Sequence, residues 1–200
     1  MDAPHADDRT LYYVQTNNPT EEILRKVGFA HPLQSCGPTA AVRCMAALGR
    51  AVAVRTSGRY LPQPDEVLMG WFNDPVNYLA LRALPVPALF RADPSEIPGN
   101  RIAPWYPLAV REVFGNPCGF VDGLMDWRAL VEQLQLGRTA QLCLVDPGHF
   151  IPVVKYDAAA DALVYDDPWP NRHPTGIGWH CAMTKDEYLG NVKPFALVYS

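Results

Sequence analysis

Two short runs rich in β-branched and aromatic residues, from His149 to Tyr156 and from Ala162 to Asp167, are separated only by the polar, alanine-bearing stretch Asp157 to Asp161. No other feature limits the fold so tightly, because two such runs around so short a turn specify an antiparallel hairpin. His149 opens the first strand and Asp167 closes the second, so pairing brings both to one end, within a residue or two of being opposite. Pro168 has no N–H to give a ladder, so the strand stops there and Asp167 lies at a sheet rim. The result is an imidazole beside a carboxylate. The carboxylate can hold one ring nitrogen and leave the other free to take a proton. Taken singly, a histidine at a strand end and an Asp-Asp-Pro turn are ordinary structural features.

A second feature lies more than a hundred residues earlier. Ser35-Cys36-Gly37-Pro38-Thr39 runs directly into the apolar stretch Ala40 to Leu48. Pro38 suits the first helical turn, where no N–H is needed, Ala41, Cys44, Met45 and Leu48 form a helical stripe, and Gly49 suits the end. Cys36 therefore starts a helix. The unpaired N–H groups and the dipole at that end favour thiolate over thiol. A lone free cysteine is more often a small buried hydrophobe, so the weight falls on the combination. Nucleophile, base and orienting acid occur in the chain order used by papain-type enzymes.

Gln-Ser-Cys-Gly-Pro-Thr-Ala at 34 to 40, Gly-His-Phe at 148 to 150 and Asp-Asp-Pro at 166 to 168 resemble the three motif blocks of the C39-like branch of papain-fold cysteine peptidases. The resemblance extends to Asp126-Trp127, the helical Leu130 to Leu134, Gly137 and the strand-like Ala140 to Val145. It implies an α+β, papain-like fold. In it, an N-terminal helix carrying the nucleophile packs on an antiparallel sheet carrying His and Asp, with Cys36, His149 and Asp167 as the triad. The surroundings of Cys36 differ from the Cys-Gly-Ser/Ala-Cys-Trp/Tyr run of papain and the cathepsins, so those relatives are not implied. The family also uses a glutamine whose amide supports the oxyanion together with the nucleophile's N–H. Two positions compete for that role here. Gln34 lies only two residues before Cys36, whereas Gln15 ends the strand-like run Leu11 to Val14 and is preferred.

Composition bounds the rest. Two hundred residues, 48% of them hydrophobic, suit one domain with a substantial core, so residues 1–200 are read as a single papain-like unit. Its middle, about 74–117, is poorly matched and carries Pro85, Pro87, Pro94, Pro98, Pro104 and Pro107, which make a chain irregular but stiff. Trp105 and Tyr106 there, with Arg91 and Arg101, are candidate substrate contacts; so is Trp169, which follows the Asp-Pro turn. A net charge of −4 with scattered basic residues gives no field for nucleic acid. No segment is long and apolar enough to span a bilayer, and the acidic start up to Arg9 lacks a secretory pattern, so the expectation is cytoplasmic. Five cysteines, Cys36, Cys44, Cys118, Cys143 and Cys181, are odd in number and widely spaced, which argues against a disulfide framework. His173 and His180-Cys181 lack the paired spacing of a metal site, so neither metal nor other cofactor is expected.

Further elements are expected as follows. Met1 to Thr10 is frayed, Leu11 to Gln15 a strand, Glu21 to Val27, Asp65 to Phe72 and Asn77 to Leu84 helices, and Pro107 opens another helix. Met183 to Leu189 is expected as a helix before a final strand, Phe195 to Tyr199. The chemistry implied is acyl transfer from a peptide or related amide through a thioester, with a peptide or protein as substrate. The same three groups serve peptidoglycan amidases or endopeptidases, isopeptidases and transglutaminases, and a cleft of this kind can persist as a non-catalytic peptide-binding module.

Overall fold

Alternation along the central strands decides the architecture. In β2 (Thr139–Leu144) and β6 (Val192–Tyr199), successive side chains point to opposite faces. Leu197 and Tyr199 face one hydrophobic cluster with Cys143, while Ala140, Leu142, Ala196 and Val198 face another. Both faces are therefore covered. The computed structural model describes residues 2–17, 35–50, 52, 63–83, 105–115, 120–123, 126–146 and 148–200. Among them, β1 (Phe120–Gly123), β3 (Phe150–Asp157), β4 (Ala162–Tyr165) and β5 (Cys181–Thr184) complete a six-stranded sheet, antiparallel at every pairing, in the order β1-β6-β2-β3-β4-β5. The expected hairpin is β3 and β4.

One face carries α1 (Cys36–Ala47), α2 (Pro64–Asn73) and α4 (Tyr106–Phe114), with Met45, Leu68, Tyr106 and Val110 in the cluster they share with the sheet. Helix α3 (Pro75–Ala83) follows α2 directly. On the other face, α5 (Trp127–Gln135) places Trp127, Leu130 and Leu134 against Ile151, Val153 and Leu163. Asp126 caps α5 by accepting from Ala129 N–H at 2.8 Å, as its position before the helix suggests. Helix α6 (Lys185–Asn191) adds Tyr188 to this side.

Polar side chains within the sheet fix α1 above it. Thr139 Oγ1 donates to the Cys44 carbonyl at 3.1 Å, and Gln141 Nε2 to the Gly37 carbonyl at 3.2 Å, while Tyr199 OH donates to Gln141 Oε1 at 2.8 Å. These bonds explain why Thr139 and Gln141 are fully buried in a strand. At Gly37 the fit is close. A β-carbon there would stand 2.0 Å from the Tyr106 hydroxyl.

Three expectations change. The start of the chain is held rather than frayed: Ala3 and Ala6 are buried, His5 N–H donates to the Ala47 carbonyl at 2.8 Å, and Arg43 donates to the Ala6 carbonyl at 2.6 Å. Leu11 to Gln15 forms no strand of the sheet; 3-10 turns at Arg9–Leu11 and Gln15–Asn17 bracket it, and Gln15 N–H bonds the Pro168 carbonyl instead. Cys181–Thr184 is an edge strand, and the helix starts only after Thr184, whose capping box with Glu187 marks the boundary. The expected helix at Glu21 to Val27 lies outside the described residues.

Candidate active site

Cys36 is the first residue of α1, which Ser35 precedes as the capping position; Thr39 N–H and Oγ1 both bond the Ser35 carbonyl, at 2.9 and 2.8 Å. His149 immediately precedes β3, and Asp167 follows β4 by two residues. The hairpin thus brings imidazole and carboxylate together at its end. His149 Nε2 lies 2.7 Å from Asp167 Oδ1 in a buried ion pair, which leaves Nδ1 uncommitted to the acid, and the Cys36 sulfur is close enough to act on the ring electrostatically. All three are buried: Cys36 is 5% exposed, His149 3% and Asp167 2%.

Burial by itself would strip the proton from His149, but the Asp167 hydrogen bond and the neighbouring Cys36 sulfur outweigh it and hold the ring above the ordinary histidine range. Asp167 is shifted the other way. Burial pushes its carboxyl up, and the bonds and charge of His149, the Trp169 N–H and His173 bring it below the usual carboxylate range. The pair is therefore built to hold an imidazolium against a carboxylate.

Asp167 is fixed from several directions. Oδ1 also accepts from Trp169 N–H at 2.8 Å, and Oδ2 lies 3.0 Å from His173 Nε2. Its backbone N–H donates to the Gly178 carbonyl at 2.7 Å and its carbonyl accepts from Tyr12 OH at 2.6 Å. Tyr12 itself stacks obliquely on Trp179, with ring centres 5.9 Å apart. Beside it, Asp166 receives Arg43 Nε at 2.6 Å, both side chains being out of contact with solvent. Helix α1 and the Asp-Asp-Pro turn are thereby joined by an ion pair as well as by the site itself.

Gln15 sits between the two halves: its carbonyl accepts from Ser35 Oγ at 3.4 Å, and its N–H donates to Pro168 at 2.9 Å. Its Oε1 is buried and accepts no hydrogen bond, so that end of the amide is not committed to the structure. Gln34, Arg91, Arg101 and Cys118 lie outside the described residues. Trp169 is 39% exposed and meets the His149 ring edge-on at 6.2 Å between centres. Tyr106 corrects the expectation of a substrate contact, because it is wholly buried between Phe72 and Phe150, at 4.8 and 6.2 Å, and faces Gly37. Trp105 is half-buried at the start of α4, against the same cluster.

Sequence reasoning missed Tyr12 and weighed His173 only as a metal ligand. The signal for His173 was local: Pro168, Pro170 and Pro174 stiffen a return loop short enough to bring it back to Asp167. Among the described residues no group of three or more His, Cys, Asp or Glu side chains is arranged to hold a metal ion, and no helix is long and apolar enough to cross a membrane.

No family model matches the chain, and no curated protein matches it significantly. Among solved structures, it is similar to the peptidase domain of Streptococcus mutans ComA, at 13% identity over 60% of this chain and 86% of that one, with a TM-score of 0.37. It is likewise similar to the N-terminal peptidase C39 like domain of the toxin secretion ATP-binding protein from Vibrio parahaemolyticus, at 12% identity over 67% and 90%, with a TM-score of 0.34. Likeness at this level assigns no residue its role. The chemistry rests on the chain's own groups.

Proposed function

We propose that this chain is a cysteine peptidase that cleaves a peptide or related amide bond by acyl transfer through Cys36. The observation that supports the reading is that Asp167 holds one nitrogen of His149 at 2.7 Å while the Cys36 sulfur, at the start of α1, helps to keep the ring protonated. The Cys36 thiolate adds to the scissile carbonyl carbon, forming a C–S bond, while the oxyanion takes the Cys36 N–H and the Gln15 amide as donors. The C–N bond then breaks and the amine leaves with the proton held by His149. A water molecule next gives its proton to His149 and adds its hydroxyl to the thioester. Breaking the C–S bond releases the acid and returns the thiolate to its imidazolium partner. Asp167 stays ionised throughout, orienting the ring and balancing its charge.

The test begins with labelling. Iodoacetamide, limiting in time and followed by peptide mapping, is expected to modify Cys36 before Cys44 and Cys181, whose thiols burial pushes up to about 12 and about 11. Incubation with a peptide library should then give products that vanish for Cys36→Ala and His149→Ala while both variants keep the wild-type fold. Equal labelling of all accessible thiols, or cleavage that survives Cys36→Ala, would refute the reading.

A further inference from the structure

Asp167 is shared by two histidines. One oxygen serves His149; the other, Oδ2, lies 3.0 Å from Nε2 of His173, an arrangement that the acyl-transfer steps above do not use. His173 comes from the 3-10 turn Pro170–Arg172 and the residue that follows it, so six residues of chain close a loop back onto the acid. Its ring is enclosed by groups of different kinds. The Cys181 sulfur lies 3.7 and 3.6 Å from the two ring nitrogens, and the Tyr165 ring is 6.4 Å away between centres. Arg172 and Glu187 complete its charged surroundings, lining with Asp167, Tyr165 and His173 a cavity of about 280 Å³.

We propose that His173 is a positioning residue for the triad, its Nε2–H holding the second oxygen of Asp167 so that the first stays aimed at His149. The inference rests on the acyl-transfer reading above and extends it. An ionised carboxylate has only acceptors, so His173 must present N–H at Nε2, whatever the state of Nδ1. Without that donor, Oδ2 would be a carboxylate oxygen facing a partly enclosed cavity, in a side chain only 3% exposed. Two consequences follow: Asp167 gains freedom to turn about its side-chain bonds, and it takes up a proton at higher pH than before. Either one weakens the imidazolium that keeps Cys36 nucleophilic.

The experiment separates hydrogen bonding from packing. His173→Phe keeps an aromatic ring against Tyr165 and Cys181 but has no N–H, whereas His173→Gln keeps an amide donor and loses the ring. The readout is the rate of Cys36 alkylation by iodoacetamide against pH, followed by peptide mapping, with folding checked by circular dichroism. We expect His173→Phe to lower the neutral-pH rate about tenfold, in the range found for supporting hydrogen-bond partners, and to move the acid limb to higher pH. His173→Gln should stay within about twofold of wild type, with its acid limb unmoved. Should phenylalanine not be accommodated, His173→Ala, which leaves space rather than filling it, carries the same expectation as His173→Phe. The proposal is overturned if the donor-less variant matches wild type, or if His173→Gln is impaired as severely. Failure of the peptidase reading looks different. Wild type would then show a single limb of an ordinary thiol, unchanged by His149→Ala.

Discussion

Gly178 offers the sharpest perturbation of the site from outside it. Its α-carbon packs so closely on the Asp-Pro turn that a β-carbon would stand 2.3 Å from the Asp167 carbonyl oxygen and 2.4 Å from Tyr12 OH. Tyr12 can swing aside, but the carbonyl belongs to backbone that is pinned at both ends of the residue. It cannot yield without moving the carboxylate. The first contact falls short of the 3.0 Å that real β-carbons respect by about 0.7 Å, and relief also stretches the 2.7 Å bond from Asp167 N–H to Gly178. Misplacement on the scale of 1 Å costs catalysis about 100-fold, so Gly178→Ala should lower kcat roughly 10- to 100-fold. KM should hold, because neither residue is placed against substrate. Overpacking adds a stability loss of about 1–3 kcal/mol, readable as a lower midpoint in urea. The decisive comparison is a double-mutant cycle. If the loss runs through Asp167, adding Gly178→Ala to Asp167→Ala costs little more activity, although the stability loss persists. Full turnover in Gly178→Ala, or losses that multiply in the double variant, would refute the argument that this contact sets the acid's position.

Three further outcomes are expected. Gln15→Ala should lower kcat on a peptide substrate by about 100- to 1000-fold, the equivalent of roughly 2.7–4 kcal/mol, with little effect on stability; an unchanged rate removes Gln15 from the oxyanion site. Arg43→Met should cost about 3–5 kcal/mol by leaving the buried Asp166 without its counter-ion, and Arg43→Met with Asp166→Leu should recover much of it in urea titrations. If the double variant is no more stable than the single one, the ion pair is not the source of the loss. Stability should also follow the His149 to Asp167 pair through pH. The raised histidine stabilises fully below its unfolded value of 6.5 and loses this as pH rises through its higher folded value; the lowered aspartate stabilises above 3.8 and loses this as pH falls through its lower folded value. The pair thus contributes most between those two values, and His149→Ala should flatten the decline in unfolding free energy from pH 6 to 9. A wild-type decline that persists unaltered in the variant would assign it to other groups.

What was legible in the sequence was what short-range rules govern. The β3–β4 hairpin, the start of α1 at Cys36 and the strand β2 all follow from patterns within ten or so residues, and the hairpin suffices to juxtapose His149 and Asp167. Gln15 and the chain's first residues were misread in their secondary structure because nothing local distinguishes them. Leu11 to Val14 is made of strand-forming residues, yet among the described residues no strand pairs with it: the Leu11 and Tyr12 N–H groups bond the nearby Asp8 and Arg9 carbonyls, while Tyr12 OH and Gln15 N–H reach a turn more than 150 residues away. Ala3 and Ala6 look like residues of a polar tail. They are buried because Arg43, a charged residue in the middle of an otherwise apolar helix, needs acceptors inside the protein and finds them in the His5 and Ala6 carbonyls and in Asp166. A charge at that helical position was the available sign that something acidic must cover α1. Asp166, adjacent to the residue that holds His149, is what does so, and the demand of one buried guanidinium therefore sets the position of the turn on which the candidate chemistry depends.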